Sequence, residues 1–108
     1  MIIRLYKGYP DRVGRRLVFA GSGIGPASYS QATGDVIQPF AFQNYIDSID
    51  SGIQSVSGTF VAYARPSAAG PRQTWSLHYF VVSTGAEVAN AVNLSAETFV
   101  VSGFGGTY

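Results

Sequence analysis

Trp75-Ser76-Leu77-His78-Tyr79-Phe80-Val81-Val82 decides the fold. Trp75, Leu77, Tyr79 and Val81 fall on one side at period two, with Ser76, His78, Phe80 and Val82 opposite, which is the repeat of a β-strand and not of a helix. Upstream, Val56-Ser57-Gly58-Thr59-Phe60-Val61-Ala62-Tyr63-Ala64-Arg65 is rich in β-formers. It places Val56, Phe60, Ala62 and Ala64 on one face and Thr59, Val61 and Tyr63 on the other. The intervening Pro66-Ser67-Ala68-Ala69-Gly70-Pro71-Arg72 cannot continue a central strand, because each proline lacks a ladder N–H and fixes φ. The two runs therefore read as a hairpin with a long tip, expected in the middle of its sheet.

Working outward, Ile2 to Lys7 reads as a first strand and Arg15 to Ala20 as a second. Gly8 to Gly14 is turn chemistry, with Pro10-Asp11 suited to the middle of a type I turn. Gly21-Ser22-Gly23-Ile24-Gly25-Pro26 follows a strand as a phosphate-cradling loop does, but no helical period follows to open a helix at the anion. It is expected to be a flexible inter-strand loop. Phe42, Tyr45, Ile46 and Ile49 fit i, i+3, i+4, i+7, so a helix from about Phe40 to Ser51 competes with a strand from Val36 to Phe42 followed by a loop. Thr84 to Glu87 is a turn and Thr98 to Ser102 a last strand. The Gly-rich tail Gly103 to Tyr108 is expected to be disordered unless it docks. The whole reads as one all-β domain over residues 1–108, with about seven strands. An immunoglobulin-like antiparallel sandwich is the first topology and a jelly-roll-like barrel the second.

With 108 residues, such a domain buries roughly two thirds of its unfolded surface and needs no staples. The absence of cysteine excludes disulfides and thiolate metal sites. The opening residues are too short an apolar run for a signal peptide, and no stretch has the length and continuity of a membrane helix. Charged residues make up 12% of the chain, about half the usual share. That deficit lies at the surface and reads as an outer face covered by another protein, or as a small β domain kept soluble by hydroxyls and amides alone. Five of the seven basic residues, Arg4, Lys7, Arg12, Arg15 and Arg16, lie within the first sixteen positions beside a single acid. That segment carries +4 and the remainder −3. It reads as an electropositive corner facing an acidic partner, or as a solvated edge hairpin whose charges discourage edge pairing. Nucleic acid is disfavoured, since a larger basic excess with interleaved aromatics is wanting.

Chemistry has few candidates. His78 is the only histidine and sits mid-strand among large apolar residues, so a structural role is expected; no serine carries a nucleophile-elbow pattern. Asp47 and Asp50 lack the spacing and closing glutamate of a calcium loop and suit a turn with Asx-type bonds. No catalytic residue, cofactor or metal site is expected.

Three stretches, Gly34-Asp35-Val36, Pro39 to Ile46 and Asp50 to Ser55, resemble the strand, loop and strand of small immunoglobulin-like modules in tailed-bacteriophage virions, with Leu94 to Val101 similar to a closing strand. The resemblance implies a structural role on a capsid, tail or fibre, hence a virion location with the host cytoplasm during assembly, and no catalytic residues. The expected partners are major capsid or other virion proteins and further copies of the chain. The expected contact residues are the basic corner (Arg4, Lys7, Arg12, Arg15, Arg16), the hairpin tip (Pro66, Ala68, Ala69, Pro71, Arg72) and the tail aromatics Phe104 and Tyr108. The alternative is a carbohydrate- or peptide-binding module with exposed Tyr and Trp75 as stacking platforms.

Overall fold

The computed structural model describes residues 1–14, 16–38, 45–50, 52–67 and 74–106. Nine strands run in chain order: β1 (Arg4–Leu5), β2 (Asp11–Val13), β3 (Arg16–Ile24), β4 (Asp35–Val36), β5 (Tyr45–Ile49), β6 (Ile53–Gln54), β7 (Phe60–Pro66), β8 (Trp75–Val81) and β9 (Thr98–Gly106). No helix occurs among the described residues, so none is long and apolar enough to cross a membrane. The strands form two antiparallel sheets, a sandwich. One is ordered β1-β3-β9-β5, with β2 also on β3, and the other β4-β8-β7-β6.

The long-tipped hairpin is β7–β8, central in the four-stranded sheet. Leu77 and Tyr79 face inward and are fully buried, with Trp75 and Val81 packed against the core at either end. Ala62 is inward as expected, but Val56 is not. It precedes the strand, in a turn, and is 74% exposed. Opposite, β3 and β9 pair over eight residues. Their inward-facing pairs are Leu17 with Gly105, Phe19 with Gly103, Gly21 with Val101, and Gly23 with Phe99. Each sets one large side chain against a glycine, which leaves room for rings such as that of Tyr79, 5.0 Å from Phe99 between centroids.

These pairs correct two expectations. Gly21 to Ile24 is not a loop but the second half of β3, and the Gly-rich tail through Gly106 is the second half of β9, held by β3 on one side and β5 on the other. Two further corrections concern turns. Asp11 to Val13 forms β2, paired to β3 from Asp11 onward, so Pro10-Asp11 is not the centre of a type I turn. Tyr45 to Ile49 is neither helix nor loop but a strand on β9, while residues 39–44 and 51, where the rest of that question falls, lie outside the described residues. Asp47 accordingly sits in a strand and not in an Asx turn.

The sheets are stitched at both sides. On one, the Gln38 N–H donates to the Met1 carbonyl at 2.9 Å. On the other, Ser55 bridges Phe99 and the Val56 N–H donates to the Thr98 carbonyl at 2.9 Å. The strand that lies on β9 as β5 thus crosses to the other sheet as β6 and touches β9 again. The Trp75 indole N–H, 2.7 Å from the Ile46 carbonyl, ties the tip end of the long hairpin to β5, at the opposite end of β9.

Candidate functional site

Alternation along β3 and β9 fixes what the five-stranded sheet presents to the outside. With Phe19, Gly21, Phe99 and Val101 inward, Val18, Ala20, Ser22 and Ile24 of β3 and Thr98, Val100, Ser102 and Phe104 of β9 face out. Arg4 pairs with Ser22, and Val13 with Arg16, so they share that face. The exposure there is unusual for aliphatic residues: Ile2 is 74%, Val13 64%, Ile24 58% and Val100 47% accessible. A shallow groove runs past Met1, Ile2, Arg4, Ser22, Ile24 and Thr98. Ile2, Ile24 and Val100 lie together at one end of this face and form a patch rather than the scattered exposure normal to a surface, while Val13, level with Arg16, stands at the other end.

Charge is arranged at the two margins of this face. On the β1/β2 margin stand Arg4, Lys7 and Arg12, all exposed, and none is in an ion pair among the described residues. Arg16 opens β3 with its guanidinium 4.7 Å over the Phe104 ring, a cation–π contact that keeps the ring covered and the charge at the surface. Asp11, the acid of this margin, has its carboxylate 2.8 Å from the Arg12 N–H. On the β5 margin lie Asp47 and Asp50; the Asp50 carboxylate accepts the Ser102 hydroxyl and so lies on the outer face.

The expected contact residues divide accordingly. Arg4, Arg16 and Phe104 come together on one face, with Lys7 in the turn beside it, whereas Arg12, opposite the inward Leu17, belongs to the other side of the margin. Pro66 ends β7 opposite Trp75, at the end of the sandwich where Ile46 and Gly105 pair, which is also the end bearing Arg12 and Arg16. Arg15, Ala68, Ala69, Pro71, Arg72 and Tyr108 lie outside the described residues. Sequence reading passes over Ile24, Val100 and Asp50 as surface residues. Their signal is parity, visible once the glycines of β3 and β9 are counted as inward positions.

The second cluster surrounds His78, which is 5% exposed. Its Nδ1 is 3.4 Å from Glu87 Oε2 and 3.3 Å from the Tyr29 hydroxyl, and its Nε2 is 3.5 Å from Ser76 Oγ. The order serine, histidine, carboxylate is that of a nucleophilic triad. Here, however, Gly34 packs against the imidazole so closely that a Cβ on it would stand 2.8 Å from Nε2, and Tyr29 fills the space between histidine and carboxylate. The Tyr29 hydroxyl donates to Glu87 at 2.7 Å and accepts the Tyr79 N–H at 3.2 Å. This is a clasp fastening the segments around Tyr29 and Glu87 to the four-stranded sheet. No group of three or more metal-ligating side chains occurs among the described residues. Trp75, with its indole N–H engaged and its ring against the core, offers no open stacking platform.

The clasp has a pH signature. Burial, aided by the hydrogen bond to Glu87, pushes the Tyr29 phenol up to about 12; burial and then the Asp35 carboxylate raise Tyr79 further. The Tyr29 hydrogen bond is also the main cause holding Glu87 below the ordinary carboxylate range. Because the folded-state values of both tyrosines exceed the unfolded 10.0, their contribution to stability is complete below pH 10 and is lost as pH climbs above it. Stability should fall from pH 10 to 12, by up to about 2 kcal/mol through Tyr29 alone. Urea unfolding at pH 9 and 11.5 measures this, and Tyr29→Phe should flatten the slope; an unchanged slope in that variant would remove Tyr29 from the account.

Comparison with protein-family models, with curated proteins and with solved structures finds no match to the chain.

Proposed function

We propose that the chain is a structural subunit of a virion, a capsid decoration or minor capsid protein of a tailed bacteriophage, present in many copies and acting through protein–protein contacts rather than chemistry. One observation carries this reading: the outer face of the five-stranded sheet exposes Ile2, Val13, Ile24 and Val100 where a solitary sandwich carries lysine and glutamate. The low charged fraction of the whole chain and the resemblance to virion modules point the same way. Each contact is modest in area, and repetition around a shell supplies the strength. The assembly reading predicts that, in a density gradient of source lysate, the 11.5 kDa chain travels with megadalton particles at a fixed ratio to a much larger protein. Recovery only as a free small species at the top of the gradient contradicts it.

A further inference from the structure

We propose that the partner on the outer face of the five-stranded sheet is a second copy of this chain, packed face to face about a two-fold axis parallel to the strands. The inference deepens the assembly reading and rests on it for its biological sense, but physically it stands on the charge layout of one face. The order β1-β3-β9-β5 puts the basic margin on one side of the apolar strip and Asp47 and Asp50 on the other. A two-fold along the strands exchanges the sides while keeping every residue at its level along the strand. It therefore lays the basic margin of each copy over the acidic margin of the other, twice per dimer, as a self-complementary interface requires. A two-fold across the strands sets basic against basic, so the charges select the axis.

One pair of charges lies within reach across the interface, Arg4 with Asp50; Arg12, opposite the inward Leu17, takes no part. Arg4 stands at the level of Ser22 and Val100, while the Asp50 N–H bonds the Ser102 carbonyl. That offset is two residues, about 7 Å, which an arginine side chain spans. Between the margins β3 of one copy lies over β9 of the other, so Ile24 and Val100 of both copies close a common apolar strip. The face measures about 14 Å across four strands and about 30 Å along β3. Both copies together then bury on the order of 1,000 Å², the lower bound for a specific interface. The dimer is therefore weak and salt-sensitive. It leaves the outer face of the four-stranded sheet, with Val36, Tyr63 and Val82 exposed, for other partners.

The test is sedimentation equilibrium of the purified full chain at low ionic strength, with circular dichroism confirming that each variant is folded. The wild type should approach twice 11.5 kDa as concentration rises to about 100 μM, a range set by the small interface. Arg4→Asp and Asp50→Lys should each weaken the dimer about tenfold or more, the loss of a close charge pair. The double variant, which reverses the pair on both sides of the two-fold, should recover most of that loss. Ile24→Glu, at an exposed position, should leave the chain monomeric. A wild type that stays monomeric throughout, single reversals without effect, or a double variant no better than the singles overturns the proposal. A monomer that still co-sediments with particles sinks the dimer and leaves the assembly reading standing; a charge-dependent dimer never found with particles does the reverse.

Discussion

Gly103→Ala should destabilise the chain by more than about 3 kcal/mol, against a total of roughly 5–15 kcal/mol for a domain of this kind, and Gly103→Val should abolish folding. Gly103 faces inward on β9, opposite Phe19 on β3 and beside Ile49 on β5. A Cβ there runs into the Ser48 carbonyl and stands 3.0 Å from Phe19 Cζ and 3.1 Å from Ile49 Cα. Two of those three neighbours are backbone atoms of a paired strand and cannot turn aside as a flexible side chain can. Relief requires β5 to separate from β9, which also forfeits its ladder. Gly58 provides the control. It has φ of +77° and nothing within 4 Å of where a Cβ would stand, so Gly58→Ala meets only the backbone preference, about 1 kcal/mol. Urea midpoints of the two variants separate these cases, and a Gly103→Ala protein as stable as Gly58→Ala would mean that β5 does not lie against β9.

The same glycines explain which parts of the fold are legible in the sequence. The alternation from Trp75 to Val81 is unbroken by glycine and yields its strand, its inward face and its hairpin partner directly. In β3 and β9 half of the inward positions are glycine, so hydropathy sees Gly-Ser-Gly and Gly-Phe-Gly-Gly as loop and tail. The structural information lies in the pairing of a large residue on one strand with a glycine on the other, which exists only once the strands are set together. The helical period through Ile46 and Ile49 has an equally specific origin. Both side chains are buried, yet they are three residues apart because a bulge between Ile46 and Ser48 inserts an extra residue into the strand. A bulged strand imitates i, i+3.

The candidate face is half legible for a related reason. The basic margin is a cluster in sequence and emerges from counting charges within the first sixteen residues. Its acidic counterpart, Asp47 and Asp50, lies far downstream, and only the topology carries it to the opposite margin of the same sheet. The resemblance to virion modules draws attention to strands and loops but does not indicate that the apolar residues between those margins face outward.

Phe99 and Phe104, at opposite parity in β9, make the sharpest test of that face assignment. Phe99 is inward, fully buried, and packed on Tyr79 across the two sheets. Its truncation to alanine removes a ring from the centre of the sandwich. Its cross-strand partner is Gly23, so no neighbouring side chain on β3 can fill the space, and the expected loss is about 3–5 kcal/mol. Phe104 points outward and carries the Arg16 guanidinium, so Phe104→Ala should lose no more than about 1 kcal/mol of stability. Its effect should instead fall on association, because its ring lies in the strip that β3 of the second copy covers. Denaturant unfolding and sedimentation equilibrium on both variants resolve the two roles. Equal destabilisation by the two would place both rings in the core and dismantle the parity on which the outer face, and the dimer across it, are built.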